Sequence, residues 1–578
     1  MSAFAALRKQ QDIHDYCYPH PLKGLLAGPV ETSNFQFTIE NSIFTPSSVI
    51  VGLLPSQYLV VHGVYQLTVI RGVCLANNTH EIPCGVSFPV ITSSAESLPT
   101  IASPDHIQPT SEAQTNESKH HKNGKILPEF ATVVELSNWD LGIEKIGLYN
   151  PSLANLYKNP GVGYTFDVLL DAKDASSTIY FDKYTLRALN SACRQMGAVV
   201  VFGVPNSGKK TFAKTLLNNM VLSDKQSVAY LDLDPASIDS DNPGCLSLRV
   251  IRQPILGEFS FWCSDNHNED HIHRYYGFTS FAEKPRFYLN LCQDLLKHYR
   301  NELEPQGIPL VVKYPSWIKG YGKELLVEFS RSLNPKKIVY LTHNDALSLE
   351  NFEPDAFEET DHPDLDVLSG FQSKDCSIVR GVRRARSFTK NDLLVRNKLL
   401  YFHKIPGVGF DFAKPLLENA PVKFSFDYVA GISVLDLDDD TNLTKKDLFG
   451  LVEATIMGIF IVKTLPEASK DLYLSGSVFS SLECSYIGLC MVHSVNVSES
   501  AFNIYLRDEI YVSEQIQHAQ NRGYSVVLAR GEGQIPSVEL TNGITSNDIR
   551  LPYVSFDPMQ KLGGIWKVRR NIGRKNQG

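Results

Sequence analysis

A glycine-bracketed run ending in lysine carries the first recognisable chemistry in this 578-residue chain. Gly203, Val204, Pro205, Asn206, Ser207, Gly208 and Lys209 follow the apolar stretch Ala198–Phe202 and precede a helical pattern from Thr211 to Met220. Glycines let backbone N–H groups turn inward around phosphate oxygens. The helix N-terminus adds partial positive charge, and a lysine at its start reaches the β- and γ-phosphates. The spacing therefore predicts a phosphate-binding loop over residues 203–211. The residue after the lysine is normally Ser or Thr, whose hydroxyl ligates Mg2+. Here it is Lys210. Thr211 is the next hydroxyl available to a metal, but one helical step turns a side chain by about 100°, so Thr211 fills that place only with local distortion.

Two carboxylates accompany the loop. The second apolar run ends in Tyr230-Leu-Asp232-Leu-Asp234-Pro235. Acids at the C-terminal end of a parallel strand face the crevice where ligands bind. In that place Asp232 can help organise Mg2+ and Asp234 can accept a proton from an attacking hydroxyl. The same acids also suit a strand end that caps the following turn. A GTP-specific protein would need an Asn-Lys-x-Asp guanine reader after a later strand. The residues after Ile338–Leu341 are Thr342, His343, Asn344 and Asp345, with no lysine, so GTP is disfavoured.

The elements needed to position these groups are legible as periodicity. Four apolar β-type runs, 197–202, 227–231, 309–312 and 337–341, alternate with helical stretches at 211–220, 288–299 and 323–333. Strands buried on both faces and separated by helices imply an α/β P-loop NTPase core built on a doubly wound parallel sheet. The first 190 residues read as mainly β. Tyr58–Gly63 and Val64–Ile70 are expected to be two short strands meeting at the glycine, as in a hairpin or meander. Residues 103–125 are polar and read as a disordered insertion. An acidic loop is expected at 351–366, and short strands return after about Val422 before a basic tail at 567–575. The expected units are 1–190, 191–421 and 422–578.

Bulk composition narrows the classes. At about 150 residues per domain, this length suggests three or four units. The hydrophobic fraction of 43% and charged fraction of 20% are those of ordinary globular protein. No apolar run approaches the roughly 20 residues of a membrane span. Residues 1–19 carry no apolar signal core, which leads us to expect a cytosolic or nuclear protein. Ten cysteines are scattered singly, without metal-ligand spacing. The net charge of −8 means that any nucleic-acid contact has to come from local basic patches.

An ordered set of motifs across the chain resembles the fungal nucleolar polynucleotide 5′-hydroxyl kinases of ribosomal RNA processing, related to the kinase-like subunit of the pre-mRNA cleavage factor. The set begins with Gln57–Val69 and continues with Asn206–Lys209, Leu231–Pro235, Pro243–Leu248 and Tyr275–Ser280, followed by Tyr288 and Leu291. It extends through Trp317–Gly322, Tyr401–His403, Arg530–Pro536 and Gly563–Asn571. The resemblance implies a kinase domain between two β domains. Its reaction is transfer of the ATP γ-phosphoryl group to the 5′-hydroxyl of RNA or DNA.

By that likeness Lys209 neutralises phosphate charge, Asp234 is the base and Asp232 assists the metal. Trp317 stacks a substrate base, although the indole alone equally suits a core or surface anchor. The basic stretch Arg380–Arg386, with Arg396, lies where these kinases carry a lid; a solvated basic loop is the alternative. The resemblance also implies a partner, the endoribonuclease that cuts the second internal transcribed spacer of pre-rRNA, together with RNA 5′ ends as substrate and a nucleolar location.

Departures from the pattern gather at the site. Besides Lys210, the residues after Pro235 are Ala236 and Ser237, with Asp239 supplying the acid. Lys313–Ser316 stands where the family tends to read Asn-Thr-x-Gly, and the lid arginine position falls at Leu394, with Arg396 nearby. A catalytically weakened, nucleotide-binding scaffold for the ribonuclease is therefore the alternative to an active kinase.

Overall fold

Side chains of the strand Ala198–Gly203 point alternately into two separate cores, and this alternation organises the middle of the molecule. Ala198, Val200 and Phe202 join one apolar cluster; Val199 and Val201 join the other. The strand next but one behaves alike: Ala229 and Leu231 face the first core, Val228 and Tyr230 the second. A strand buried on both faces shows no polar alternation, which is why these segments read as unbroken apolar runs.

The computed structural model describes residues 29–541 except 78, 106–126, 128, 159–162, 172–176, 224–226, 260–270, 344–374, 382–386, 438–440, 442 and 466–471. The insertion expected at 103–125 (from 106 on), the acidic loop at 351–366, most of the basic stretch after Arg380 and the basic tail lie outside the described residues.

The central sheet has seven strands in the spatial order His271–Tyr275, Cys245–Ile251, Val228–Asp232, Leu310–Lys313, Ala198–Gly203, Lys337–Thr342 and Cys376–Arg380. The last five run parallel. The first two are antiparallel additions at one edge, so the sheet is mixed where a parallel one was expected. Helices Lys183–Cys193 and Lys209–Leu222 cover one face, and Pro285–His298 and Tyr321–Leu333 the other. Helix Lys183–Cys193 thus packs into the central core, although it begins before the expected boundary at 191.

A nine-stranded β unit precedes this sheet and a seven-stranded one follows it. In the first, Tyr58–Arg71 is one continuous strand of 14 residues, not two short ones. Gly63 bends it instead of reversing it, at φ +124, and a Cβ there would meet the Thr165 carbonyl oxygen at 2.4 Å. A glycine that admits a positive φ and a close backbone neighbour reads in sequence like a turn.

The three layers touch through backbone. Glu258 N–H donates to the Ile91 carbonyl at 2.6 Å, joining the N-terminal unit to the central one. Gly531 of the C-terminal sheet lies so close to Gly277 that a Cβ on it would sit 2.0 Å from the Gly277 oxygen. Among the described residues no helix is long and apolar enough to cross a membrane.

Candidate functional site

The central strand Ala198–Gly203 delivers the phosphate loop to the sheet's C-terminal edge. Gly203 has φ +155, and a Cβ there would press 2.1 Å from the Leu341 oxygen, so a larger residue would push the loop off its neighbouring strand. Val204 N–H donates to that oxygen at 3.0 Å. The loop then turns through Asn206 at φ 61 and Gly208 at φ 87 into helix Lys209–Leu222. This is the strand–loop–helix context that a phosphate cradle requires.

The loop lies at the floor of a cleft of about 2100 Å3, whose lining includes Ser207, Gly208 and Thr211 from the central unit and Asn155, Tyr157 and Lys158 from the N-terminal one. Ser207 is 1% exposed, and its hydroxyl has no hydrogen-bond partner among the described residues. The Lys209 ammonium donates to the carbonyl oxygens of Gly203 at 3.0 Å and Val204 at 2.7 Å. Pro205 and Asn206 are exposed at the turn.

Two residues that the sequence reading did not assign to the site brace the loop from the far side. The His343 ring bridges the carbonyl oxygens of Gly381 at 3.0 Å and Pro205 at 3.2 Å. Gly381 abuts Ser207: a Cβ on it would lie 2.7 Å from the Ser207 oxygen. The signal for His343 was its position just past a buried strand, next to the loop's own strand in the sheet.

Asp232 ends the next strand but one and Asp234 follows it, and the two differ in burial. Asp232 is buried, accepting from Lys313 Nζ at 2.9 Å, the Ser237 hydroxyl at 2.6 Å and the Asp234 backbone N–H at 3.0 Å. Burial raises its pKa against the opposing pull of Lys313. Asp234 is half-buried, and one carboxyl oxygen caps the Ala236 N–H at 3.1 Å.

Trp317 is 38% exposed and rests on Phe281 with ring centroids 4.5 Å apart. Phe281 stacks on Tyr288 at 5.2 Å. The Tyr288 hydroxyl donates to the carbonyl of Leu233, between the two acids, at 2.8 Å. An open indole face is thereby tied to the acidic strand end.

Comparison with known proteins places this geometry in context. Residues 203–390 match the family model for the mRNA cleavage and polyadenylation factor CLP1 P-loop. Polynucleotide 5′-hydroxyl-kinase GRC3 of Debaryomyces hansenii is 29% identical, with 94% of this chain aligned to 88% of that protein. The GRC3 kinase of Candida albicans is 27% identical over 95% of this chain and 87% of its own length. The chain is homologous to fungal GRC3 kinases. The solved wild-type Clp1p–Pcf11p complex has a chain that superposes with a TM-score of 0.50 at 11% identity, covering 85% of this chain and 98% of that one. At that identity the likeness speaks for the fold: a P-loop-kinase-like core related to Clp1, with flanking β-rich regions.

Against that background the expected lid arginine is misplaced. Arg396 sits on helix Lys390–Phe402 with 0% exposure, donating to Glu258 at 2.9 Å, the Ile238 carbonyl at 2.7 Å and the Asn397 side chain at 3.0 Å. Glu258 also accepts from Ser93 and Tyr157. A lid arginine must be free to swing onto a transferring phosphoryl group, whereas Arg396 is locked in a buried ion pair. In linear sequence, a basic residue on a helix looks the same in either role. Among the described residues, Arg380, exposed at the end of its strand, is the arginine that lines the cleft.

Thr211 lines the cleft beside Ser207 and Gly208, but the metal-ligand reading of Asp232 meets a similar obstacle. The Lys210 ammonium is ion-paired with Glu96 of the N-terminal unit and with Asp239. Burial works against its charge, but Asp239, Glu96 and Glu258 outweigh it and raise its pKa above the ordinary lysine value. Lys313 holds Asp232 and lies 3.7 Å from Asp239. Burial would raise Asp239, yet Lys210 and Lys313 hold its pKa below the usual carboxylate value. Among the described residues no group of three His, Cys, Asp or Glu side chains is placed to hold a metal ion. With Lys210 in the hydroxyl position and Lys313 on Asp232, neither of the two side-chain oxygens usual at such a site is free at its expected place.

Proposed function

We propose that this chain is a polynucleotide 5′-hydroxyl kinase, transferring the γ-phosphoryl group of ATP to the 5′-hydroxyl of an RNA strand. The observation that carries the reading is the tie from Trp317 through Phe281 and Tyr288 to Leu233. That tie links a partly exposed indole to the strand end that carries Asp234. Homology to polynucleotide kinases along nearly the whole chain supports the same assignment.

In this reading the N–H groups of residues 203–211 and the N-terminus of helix Lys209–Leu222 hold the triphosphate. Lys209 exchanges a carbonyl oxygen for a phosphate oxygen, and Asp232 keeps the strand end and Asp234 in place. The 5′-oxygen bonds to the γ-phosphorus as the bond to the β,γ-bridging oxygen breaks, and the hydroxyl proton passes to Asp234. Trp317 stacks the terminal base without regard to its identity. The three units are 1–190, 191–421 and 422–578, with the helix from Lys183 attached to the second. The biological setting is pre-rRNA processing in the nucleolus, in complex with the endoribonuclease that cuts the second internal transcribed spacer.

A second reading is favoured by one observation, the ion-paired Lys210 in the hydroxyl position. In it the chain is a nucleotide-binding scaffold for that ribonuclease, with weakened catalysis. Incubating the full chain with γ-labelled ATP and a 5′-hydroxyl oligonucleotide separates the two. Label on the RNA that disappears in Lys209→Ala establishes the kinase. ATP binding without transfer, even with the nuclease present, establishes the scaffold.

A further inference from the structure

The phosphate loop differs from a metal-dependent one in a way that involves a whole cluster, beyond the single replaced hydroxyl. Lys210 reaches from the first turn of helix Lys209–Leu222 to Glu96 and Asp239. Lys214, one turn on, donates to the Gly257 carbonyl and lies 3.6 Å from Glu96. Lys313, on the neighbouring parallel strand, donates to Asp232 and to the Ser237 hydroxyl, the latter at 2.8 Å. Each of the acids Glu96, Asp232 and Asp239 therefore touches at least one ammonium group.

We propose that this loop binds a nucleoside triphosphate without a divalent ion, the Lys210 ammonium standing where a hydroxyl would anchor the metal and Lys313 occupying the carboxylate that would steady it. The inference rests on the reading of residues 203–211 as a triphosphate site and adds to it the source of the positive charge.

Three physical points support it. Mg2+ demands near-octahedral oxygen ligands at about 2.0–2.1 Å, and a lysine offers none. Asp232 and Asp239 are 4% and 2% exposed and Lys313 is 5% exposed, so their ion pairs have no solvent into which to open. Glu96, Asp232 and Asp239 are already paired with ammonium groups, so a divalent ion would have to displace a lysine to reach any of the three. Lys210 is the most exposed of the three lysines, with 18% of its side chain accessible. It can share its ammonium with a phosphate oxygen while still paired below. A point charge on a flexible stem suits this task.

The arrangement also makes Glu96 a positioning residue. It comes from the N-terminal β unit and aims the Lys210 side chain across the boundary between the units.

The test is calorimetric titration of ATP into the full chain, in buffer with excess EDTA and in buffer with excess Mg2+. The expected result is a Kd that changes less than about fivefold between the two, while Lys210→Ser, which restores the hydroxyl, binds more than about fivefold tighter with Mg2+ than with EDTA. Wild-type binding that weakens more than about fivefold in EDTA overturns the inference and leaves the kinase reading intact. Binding in neither buffer overturns the triphosphate site itself. The wild-type comparison needs no variant, so it decides the matter even if Lys210→Ser fails to fold.

Discussion

The Tyr288 hydroxyl hydrogen-bonds the Leu233 carbonyl at 2.8 Å, so the helix Pro285–His298 is pinned to the residue that separates Asp232 from Asp234. Burial pushes the Tyr288 phenol well above its ordinary pKa, which keeps it a donor. Through Phe281 the same phenol ring supports Trp317. The aromatic ladder therefore fixes the indole relative to the acidic strand end.

Trp317→Ala should weaken binding of a 5′-hydroxyl oligonucleotide by about 1–3 kcal/mol, the range for losing one base–aromatic contact. ATP affinity should be unchanged, and Trp317→Phe should recover most of the loss. Fluorescence anisotropy with labelled RNA, beside an ATP titration, checks this. Equal weakening of ATP and RNA binding would make Trp317 a packing residue instead.

Gly381→Ala should damage the phosphate loop without unfolding the chain. The new methyl would meet Ser207 backbone atoms at 2.7 and 2.8 Å, and overpacking of this kind costs about 1–3 kcal/mol. The strain falls on the loop, so ATP affinity should drop by about tenfold. Calorimetry reads the affinity and a melting curve reads the fold; an unchanged Kd would sever Gly381 from the site.

Arg396→Met should be a stability variant. It leaves the Glu258 carboxylate buried without its cation, which costs about 3–5 kcal/mol. Urea unfolding should show the loss. A variant that keeps wild-type stability and loses only phosphoryl transfer would restore the lid role to Arg396.

His80 should make the fold acid-sensitive between about pH 6.5 and 4. Burial lowers its pKa from 6.5 to about 4, and its Nδ1 has no hydrogen-bond partner among the described residues. The folded state therefore favours the neutral ring. Its contribution is complete above about pH 6.5 and is lost as pH falls through about 4, on the order of 3 kcal/mol in all. His80→Leu should flatten the stability profile over that window, as measured by unfolding at a series of pH values. A profile that keeps its slope would assign the acid sensitivity to other groups.

Much of the core was legible because its signals are local. Ala198–Gly203, Val228–Asp232, Leu310–Lys313 and Lys337–Thr342 are continuous apolar runs, and the loop from Gly203 to Lys209 announces its own backbone demands. The edge strand His271–Tyr275 was not legible, since its residues are mostly half-buried and polar. Tyr58–Arg71 was split in two because a glycine that bends a strand and one that ends it have the same letter.

What the sequence determined alone is the loop and the four central strands that present it: backbone conformation and two-sided burial are written in neighbouring residues. What only the tertiary structure decided is where the charges go. Lys210 finds Glu96 across 114 positions and Arg396 finds Glu258 across 138. Coulombic partners are chosen by distance in space and by shared loss of solvent, and neither quantity is a property of residue order.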